Sequence, residues 1–273
     1  MSGLGVVTIA HGRHHHLRAQ HATLARAERR PDVYVIVAMG DPALESWPPV
    51  DGLPARVVSI DVDPCGLPLA AARNRGLDLA AAAGCDVLVG LDVDCLAGST
   101  LPAAYEDVVR AEPELVWSGP VTYLGPPPAD GYPLDRLDEL DDPHPARPRP
   151  APGRLLRGGD PDLFWSLSFA LSAQAWAASG GFCEAYVGYG GEDTDFGRQL
   201  AERGIGLGWV GSARAYHQYH PVGSPPVEHL DDILRNGRTF RDRWGVWPMS
   251  GWLAELEDRG LVERRGRDWV RAG

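Results

Sequence analysis

The chain has 273 residues, enough for one large α/β domain with a substantial buried core. Its formal net charge of −11 argues against non-specific nucleic-acid binding, which needs a basic surface, and suits a site that holds a divalent cation. The four cysteines (Cys65, Cys85, Cys95 and Cys183) show no C-x-x-C spacing, so zinc and redox motifs are unsupported and they read as reduced thiols of a cytoplasmic protein. No apolar run approaches the length of a membrane span, and the N-terminus lacks a leader pattern.

Leu4 to Ala10 is a short apolar, β-branched run, the mark of a buried strand. It ends in His11-Gly12-Arg13-His14-His15-His16, from which a helical stretch runs to Arg30. Adjacent helical residues point about 100° apart, so three consecutive histidines cannot all face one ion and read as an exposed helix start. His11 and Arg13 differ, because they sit at the C-terminal end of a strand, where open α/β sheets bind ligands. Val33 to Met39 is a second strand, closed by Gly40-Asp41-Pro42, and Arg56 to Ile60 a third, followed by Asp61-Val62-Asp63. Leu69 to Ala83 is an alanine-rich helix entered through Pro68 and left at Gly84. Asp86 to Leu91 is a fourth strand, and it delivers Asp92-Val93-Asp94.

The D-x-D pattern also occurs at Asp61/Asp63, Asp160/Asp162 and Asp193/Asp195, so the spacing alone discriminates little. A divalent ion beside phosphates needs hard oxygen ligands on a rigid element. Asp92/Asp94, after an almost wholly apolar strand, is the favoured pair, and Asp61/Asp63 is the alternative. Leu101 to Ala111 reads as a helix and Glu114 to Leu124 as one strand. Residues 125–162 are polar and proline-rich, which prevents continuous helix or sheet; a disordered insertion and a mobile lid fit equally well.

Ser166 to Ser172 reads as a strand and Ala173 to Ser179 as a helix. A glycine-rich crossing follows (Gly180, Gly181, Gly188, Gly190, Gly191), with Tyr186 and Tyr189 offering aromatic faces, and a helix begins near Glu192. Glu192, Asp193 and Asp195 suit the positive end of a helix dipole, and Asp195 is expected to do no more than support that helix start. Gly206 to Val210 is a strand, then come Tyr216-His217-Gln218-Tyr219-His220, a helix from Glu228 to Trp244, and a helix plus hairpin from Met249 to the end.

The run Gly180-Gly181-Phe182 … Tyr186-x-Gly188-Tyr189-Gly190-Gly191-Glu192-Asp193-x-Asp195 resembles the acceptor-side signature of the β-galactosyltransferases and polypeptide N-acetylgalactosaminyltransferases, and of bacterial family-2 glycosyltransferases. Ala72-Arg73-Asn74-Arg75-Gly76 resembles the A-R-N-x-G segment of family-2 enzymes, and His11 to Leu17 resembles a nucleotide-binding R-N-R-x-x-H-L. The resemblance implies an α/β fold of GT-A form: a Rossmann-like mixed sheet flanked by helices, with a small C-terminal helix–hairpin appendage. It implies a transferase domain over 1–244 (donor half 1–124, loop or lid 125–162, acceptor half 163–244) and an appendage over 245–273.

It further implies inverting transfer of a hexose from a nucleotide sugar, a UDP-sugar first, to a glycan, glycolipid or small-molecule acceptor. Carried over by position, Asp193 is the general base, and Glu192, Tyr189, Gly190 and Gly191 bind the acceptor. His11, Arg13, Asp41, Arg73, Asp92 and Asp94 face the donor. Mn²⁺ or Mg²⁺ is held by Asp94 and His217, with His220 the second choice of histidine. The place of work is the cytoplasm, with peripheral contact at the inner face of the membrane if the acceptor is a lipid. Two rival classes stay open at this point: a sugar-nucleotide nucleotidyltransferase, and a non-catalytic sugar- or calcium-binding module.

Overall fold

The computed structural model describes residues 3–221 and 223–273. In chain order the elements are β1 (Gly3–Ala10), α1 (His14–Arg26), β2 (Val33–Met39), β3 (Arg56–Ile60), α2 (Leu69–Ala82), β4 (Cys85–Leu91), β5 (Cys95–Ala97) and α3 (Leu101–Ala111). There follow β6 (Val116–Ser118), β7 (Val121–Tyr123), β8 (Leu155–Gly159), β9 (Ser168–Ser172), α4 (Ala173–Ser179), α5 (Glu192–Glu202), β10 (Leu207–Val210) and β11 (Ala215–His217). The chain ends in α6 (Leu230–Trp244), α7 (Ser250–Asp258), β12 (Val262–Arg265) and β13 (Asp268–Arg271).

An eight-stranded mixed sheet in the order β3-β2-β1-β4-β9-β6-β10-β8 forms the middle layer. Its first four strands are parallel, and β9 reverses direction between β4 and β6. Alternation along the strands feeds two cores. Leu4 and Val6, Tyr34 and Ile36, and Val87 and Val89 pack on one face with Leu17 and Leu24 of α1 and Leu101 and Tyr105 of α3. Val7 and Ile9, Val35 and Val37, and Leu88 pack on the other with Leu77 of α2, Trp176 of α4 and Phe196 of α5. The period of two thus appears inside runs that look uniformly apolar, as expected of strands buried on both faces.

The stretch from Glu114 to Leu124 is not one strand. It breaks at Gly119-Pro120: β6 stays in the main sheet, while β7 enters a small sheet of order β5-β11-β7. Pro120 cannot donate to a ladder, and a Cβ at Gly119 would lie 1.8 Å from the carbonyl oxygen of Ala213, so the chain can cross only as glycine. The proline-rich segment is bound to the domain. Leu137 and Arg147 are buried within it, Tyr132 and Leu134 pack against a cluster of Leu96, Leu124, Leu137 and Tyr216, and β8 pairs antiparallel with β10 at the sheet edge. That strand runs against the expectation of a loop without structure. Helix α1 stops at Arg26, short of Arg30, because Ala27 turns extended ahead of Pro31. Helix α6 starts at Leu230 after a single 3-10 turn that follows Pro226.

Residues 245–273 pack on α6: Leu253, Leu256, Val262 and Trp269 share a cluster with Leu230, Ile233 and Leu234, against which Tyr189 also rests. No helix among the described residues is long and apolar enough to cross a membrane.

Candidate active site

The site forms at the C-terminal ends of β1, β2 and β4, and strand pairing assembles its first part. In the small sheet His217 stands opposite Cys95, and the Gln218 N–H donates to the carbonyl of Asp94 at 2.7 Å. Asp94 therefore lies beside the histidines: its carboxylate is 3.4 Å from His217 Nε2, 3.5 Å from His220 Nε2 and 2.9 Å from Arg13 Nη1. Ligand atoms of Asp94, His217 and His220 fall within 4.8 Å of one another. Both histidines therefore lie beside the same carboxylate. Asp61 and Asp63 are exposed after β3, where Asp63 only caps the turn through the Cys65 N–H. Burial alone would raise the Asp94 carboxyl, but the His220 hydrogen bond and the His217 and Arg13 charges outweigh it and hold it at about 2. Burial lowers His217, which favours the neutral imidazole that ligates metals. Tyr123 stacks on His217, with ring centroids 4.6 Å apart.

A buried glutamine braces the turn that carries these groups. Gln20 of α1 donates to the carbonyls of Asp92 (2.6 Å) and Cys95 (3.0 Å), while its own oxygen accepts from Thr8 and Tyr34. Nothing in the sequence pattern singles it out, since it is one polar residue in a helix whose inner face is otherwise read by its apolar positions.

The second part is built around Arg73 on α2. Its Nη2 donates to Asp92 at 3.1 Å, and its Nη1 faces Glu192 at 3.6 Å and Asp193 at 3.9 Å. Arg73, expected to face the donor, is buried and bridges Asp92 and the start of α5. Burial pushes Asp92 up to about 6 against the pull of Arg73. Burial, reinforced by Asp193, also carries Glu192 well above the carboxylate range. Asp193 accepts the Ser166 N–H at 2.9 Å, and its other oxygen is buried without a hydrogen-bond partner. Gly190 and Gly191 have φ of 95° and 93°, a turn that side chains resist, and it aims the acids into the site.

Helix α6 holds that turn from behind. Asp232 accepts the Tyr189 N–H, and the Asn236 amide donates to the carbonyls of Val187 and Tyr189. Two expectations need correction here. Tyr186 is 1% exposed and offers no open ring. Asp195 does more than begin a helix: it is fully buried, and one of its oxygens accepts from Tyr186 Oη, Arg243 Nε and Trp244 Nε1, which ties α5 to α6. The Tyr189 ring is stacked on His229 at 4.7 Å, with Trp252 of α7 further along, so one of its faces is already covered.

On the remaining side, the Asp41 carboxylate accepts the Gly12 N–H at 2.8 Å and lies 2.7 Å from His14 Nε2. Burial would raise Asp41; these two contacts reverse it. His11 Nδ1 lies 2.7 Å from the Met39 carbonyl. The three consecutive histidines part company, His14 to Asp41 and His16 to the Tyr219 carbonyl, with His15 exposed. An aromatic wall that no sequence pattern marks flanks the proline-rich segment: His144 lies between Tyr123 of β7 and Trp165, at 5.2 and 5.9 Å, and Arg147 backs Trp165.

A family model described as the N-terminal domain of galactosyltransferase matches residues 162–221, which include the acceptor-side turn and both histidines. No curated protein matches the chain. Among solved structures, GalNAc-T7 with UDP, GalNAc and Mn²⁺ superposes with a TM-score of 0.57 at 16% identity, covering 94% of this chain and 57% of that one. TarS of S. aureus, residues 1–349, superposes with a TM-score of 0.58 at 11% identity, covering 87% of this chain and 65% of that one. The chain thus spans less than two thirds of either structure's length. These likenesses show the fold, which is the GT-A fold of glycosyltransferases.

Two substitutions test the acids of α5. Asp195→Asn keeps the shape but removes the charge that meets Arg243, and it should cost about 1.5–3 kcal/mol, the range for hydrogen bonds to charged groups, read as a lower urea midpoint at unchanged slope. Glu192 titrates above its ordinary value of 4.5 in the folded protein. As pH rises past that value the unfolded chain releases this proton first, so the contribution of Glu192 to stability falls with pH. Glu192→Gln should therefore be more stable than wild type at about pH 8, with the gap closing toward about pH 5; an equal gap at both values contradicts the assignment.

Proposed function

We propose that the chain is a metal-dependent inverting glycosyltransferase of the family-2 type, moving a hexose from a nucleotide sugar, a UDP-sugar first, to an acceptor hydroxyl. Residues 1–244 would form the transferase domain and 245–273 an appendage, working in the cytoplasm on a glycan, glycolipid or small-molecule acceptor. The observation that carries this is one contiguous site: the Asp94–His217–His220 cluster and the Glu192–Asp193 pair stand on separate elements, and Arg73 joins Asp92 to the latter.

The donor set fits a divalent cation. One carboxylate and two imidazoles suit Mn²⁺ better than Mg²⁺, which prefers an all-oxygen shell. When bound, the cation would act as a Lewis acid and neutralise the leaving diphosphate. The chain's own residues do the rest. Arg13, at the end of β1, supplies a second positive charge beside Asp94. Asp41 and His11, at the ends of β2 and β1, offer polar groups where the nucleotide would lie. Glu192 and the Tyr189 edge, carried by the Gly190-Gly191 turn, would orient the acceptor, which lowers the entropic part of the barrier.

Asp193 would accept the acceptor's hydroxyl proton while that oxygen bonds to the anomeric carbon from the face opposite the diphosphate. The bond to the diphosphate breaks, UDP leaves with its electron pair, and the configuration inverts.

Incubation with UDP-galactose, UDP-glucose, UDP-N-acetylgalactosamine and GDP-mannose, with and without Mn²⁺, separates the classes. Nucleoside diphosphate release supports transfer, pyrophosphate release supports a nucleotidyltransferase, and no turnover with retained sugar binding supports a binding module. Within the first outcome, Asp94→Ala should abolish metal-dependent donor binding. Asp193→Asn should leave donor affinity near wild type and slow transfer by about 10²–10⁴-fold, the usual worth of general-base assistance. A near-wild-type rate in Asp193→Asn removes it as the base.

A further inference from the structure

Arg73 is 7% exposed, so its charge has been taken out of water and must be answered by carboxylates. One guanidinium answers three of them on two elements: Asp92 after β4, and Glu192 and Asp193 at the start of α5. Burial alone would lower Arg73, and the charges of Asp92, Asp193 and Glu192 more than reverse that. Its Nη1 and the facing Asp193 oxygen, 3.9 Å apart, are both buried and neither has a hydrogen-bond partner. The second Asp193 oxygen is pinned by the Ser166 N–H. The Asp193 carboxylate is therefore held between one backbone donor and one cation.

We infer that Arg73 is a positioning residue for the acceptor side: its charge offsets the neighbouring carboxylates and holds the Asp193 carboxylate in place opposite the Ser166 N–H, and its bond to Asp92 ties that base to the donor side. This rests on the reading of Asp193 as the base. The groups facing Asp193 are Arg73 from α2, Asp92 after β4, Glu192 on its own helix, Arg147 from the segment before β8, and the Tyr189 hydroxyl. Arg147 lies beyond ion-pair distance and is itself stacked on Trp165 and Trp209. Without Arg73, two carboxylates face Asp193 with no near cation. Like charges disfavour ionisation, so the proton would be held to higher pH, and the base would be idle where wild type works.

The test needs no turnover. Carboxyl-carbon NMR titration of the full chain, with the Asp193 signal assigned by its loss in Asp193→Asn, reads the midpoint directly. Arg73→Gln should raise the Asp193 midpoint by about one pH unit or more, and the acid limb of kcat against pH should move up with it. Arg73→Lys keeps the charge and should hold the midpoint within about half a unit of wild type, rescuing the acid limb. An unmoved midpoint in folded Arg73→Gln overturns the inference. If Arg73→Gln does not fold, a rise of about a full unit in Arg73→Lys overturns it. A midpoint that moves in a protein that transfers no sugar upholds the Arg73 coupling and sinks the transferase reading instead.

Discussion

The backbone hydrogen bond from Gln218 to the Asp94 carbonyl, set in the three-residue pairing of β5 with β11, is the constraint on which the site depends. It joins the turn after β4 to the strand after β10, two places far apart in sequence, and it does so without using a side chain. Once that register is set, Asp94 must stand beside His217, and the next turn brings His220 back to the same carboxylate. Gln20 fixes the turn from beneath by holding the carbonyls of Asp92 and Cys95. Buried amide hydrogen bonds of this kind are costly to leave unmade, so the Asp94, His217 and His220 side chains inherit the rigidity of the sheet.

The charge pattern follows from the same placement. Asp92, Asp94, Glu192 and Asp193 come together in a partly buried space, where like charges repel more strongly than in water. Two arginines answer them, Arg13 at Asp94 and Arg73 at the other three. That leaves an excess of negative charge, which adds to burial in raising Asp92 and Glu192. An anionic donor would meet the same excess, and a bound cation answers both. Helix α6 and residues 245–273 act at a distance, since Asp232, Asn236 and Trp252 fix the turn on which Glu192 and Asp193 ride.

Much of the fold was legible in the chain because most of its longer strands are largely apolar runs. Val33–Met39 and Arg56–Ile60 lie where the pattern puts them, and so does the helix at Leu101–Ala111. Three-residue strands carry no period to read, which is why β5 and β11 escaped, and with them the pairing that sets Asp94 beside His217. The strand at Leu155–Gly159 was hidden because its partner, β10, lies about fifty residues downstream and its own residues are largely polar and glycine. Asp195 was misread because a helix N-terminus explains an aspartate by itself, and only the packing of Arg243 and Trp244 across it shows the larger role. The Glu192–Asp193 pair was the opposite case: a long ordered run of glycines and aromatics marked it, and the structure sets it in the same site as Asp92 through Arg73.

The central claim is that the Asp94 cluster holds the cation and the ends of β1 and β2 hold the nucleotide. A crystal structure of the protein with Mn²⁺ and UDP, with data collected at the manganese absorption edge, tests it most directly. The account predicts one strong anomalous peak ligated by Asp94, His217 and His220, with the diphosphate on it and the uridine beside Asp41 and His11. A peak at Asp61/Asp63, or a nucleotide bound away from the C-terminal ends of β1 and β2, would contradict it.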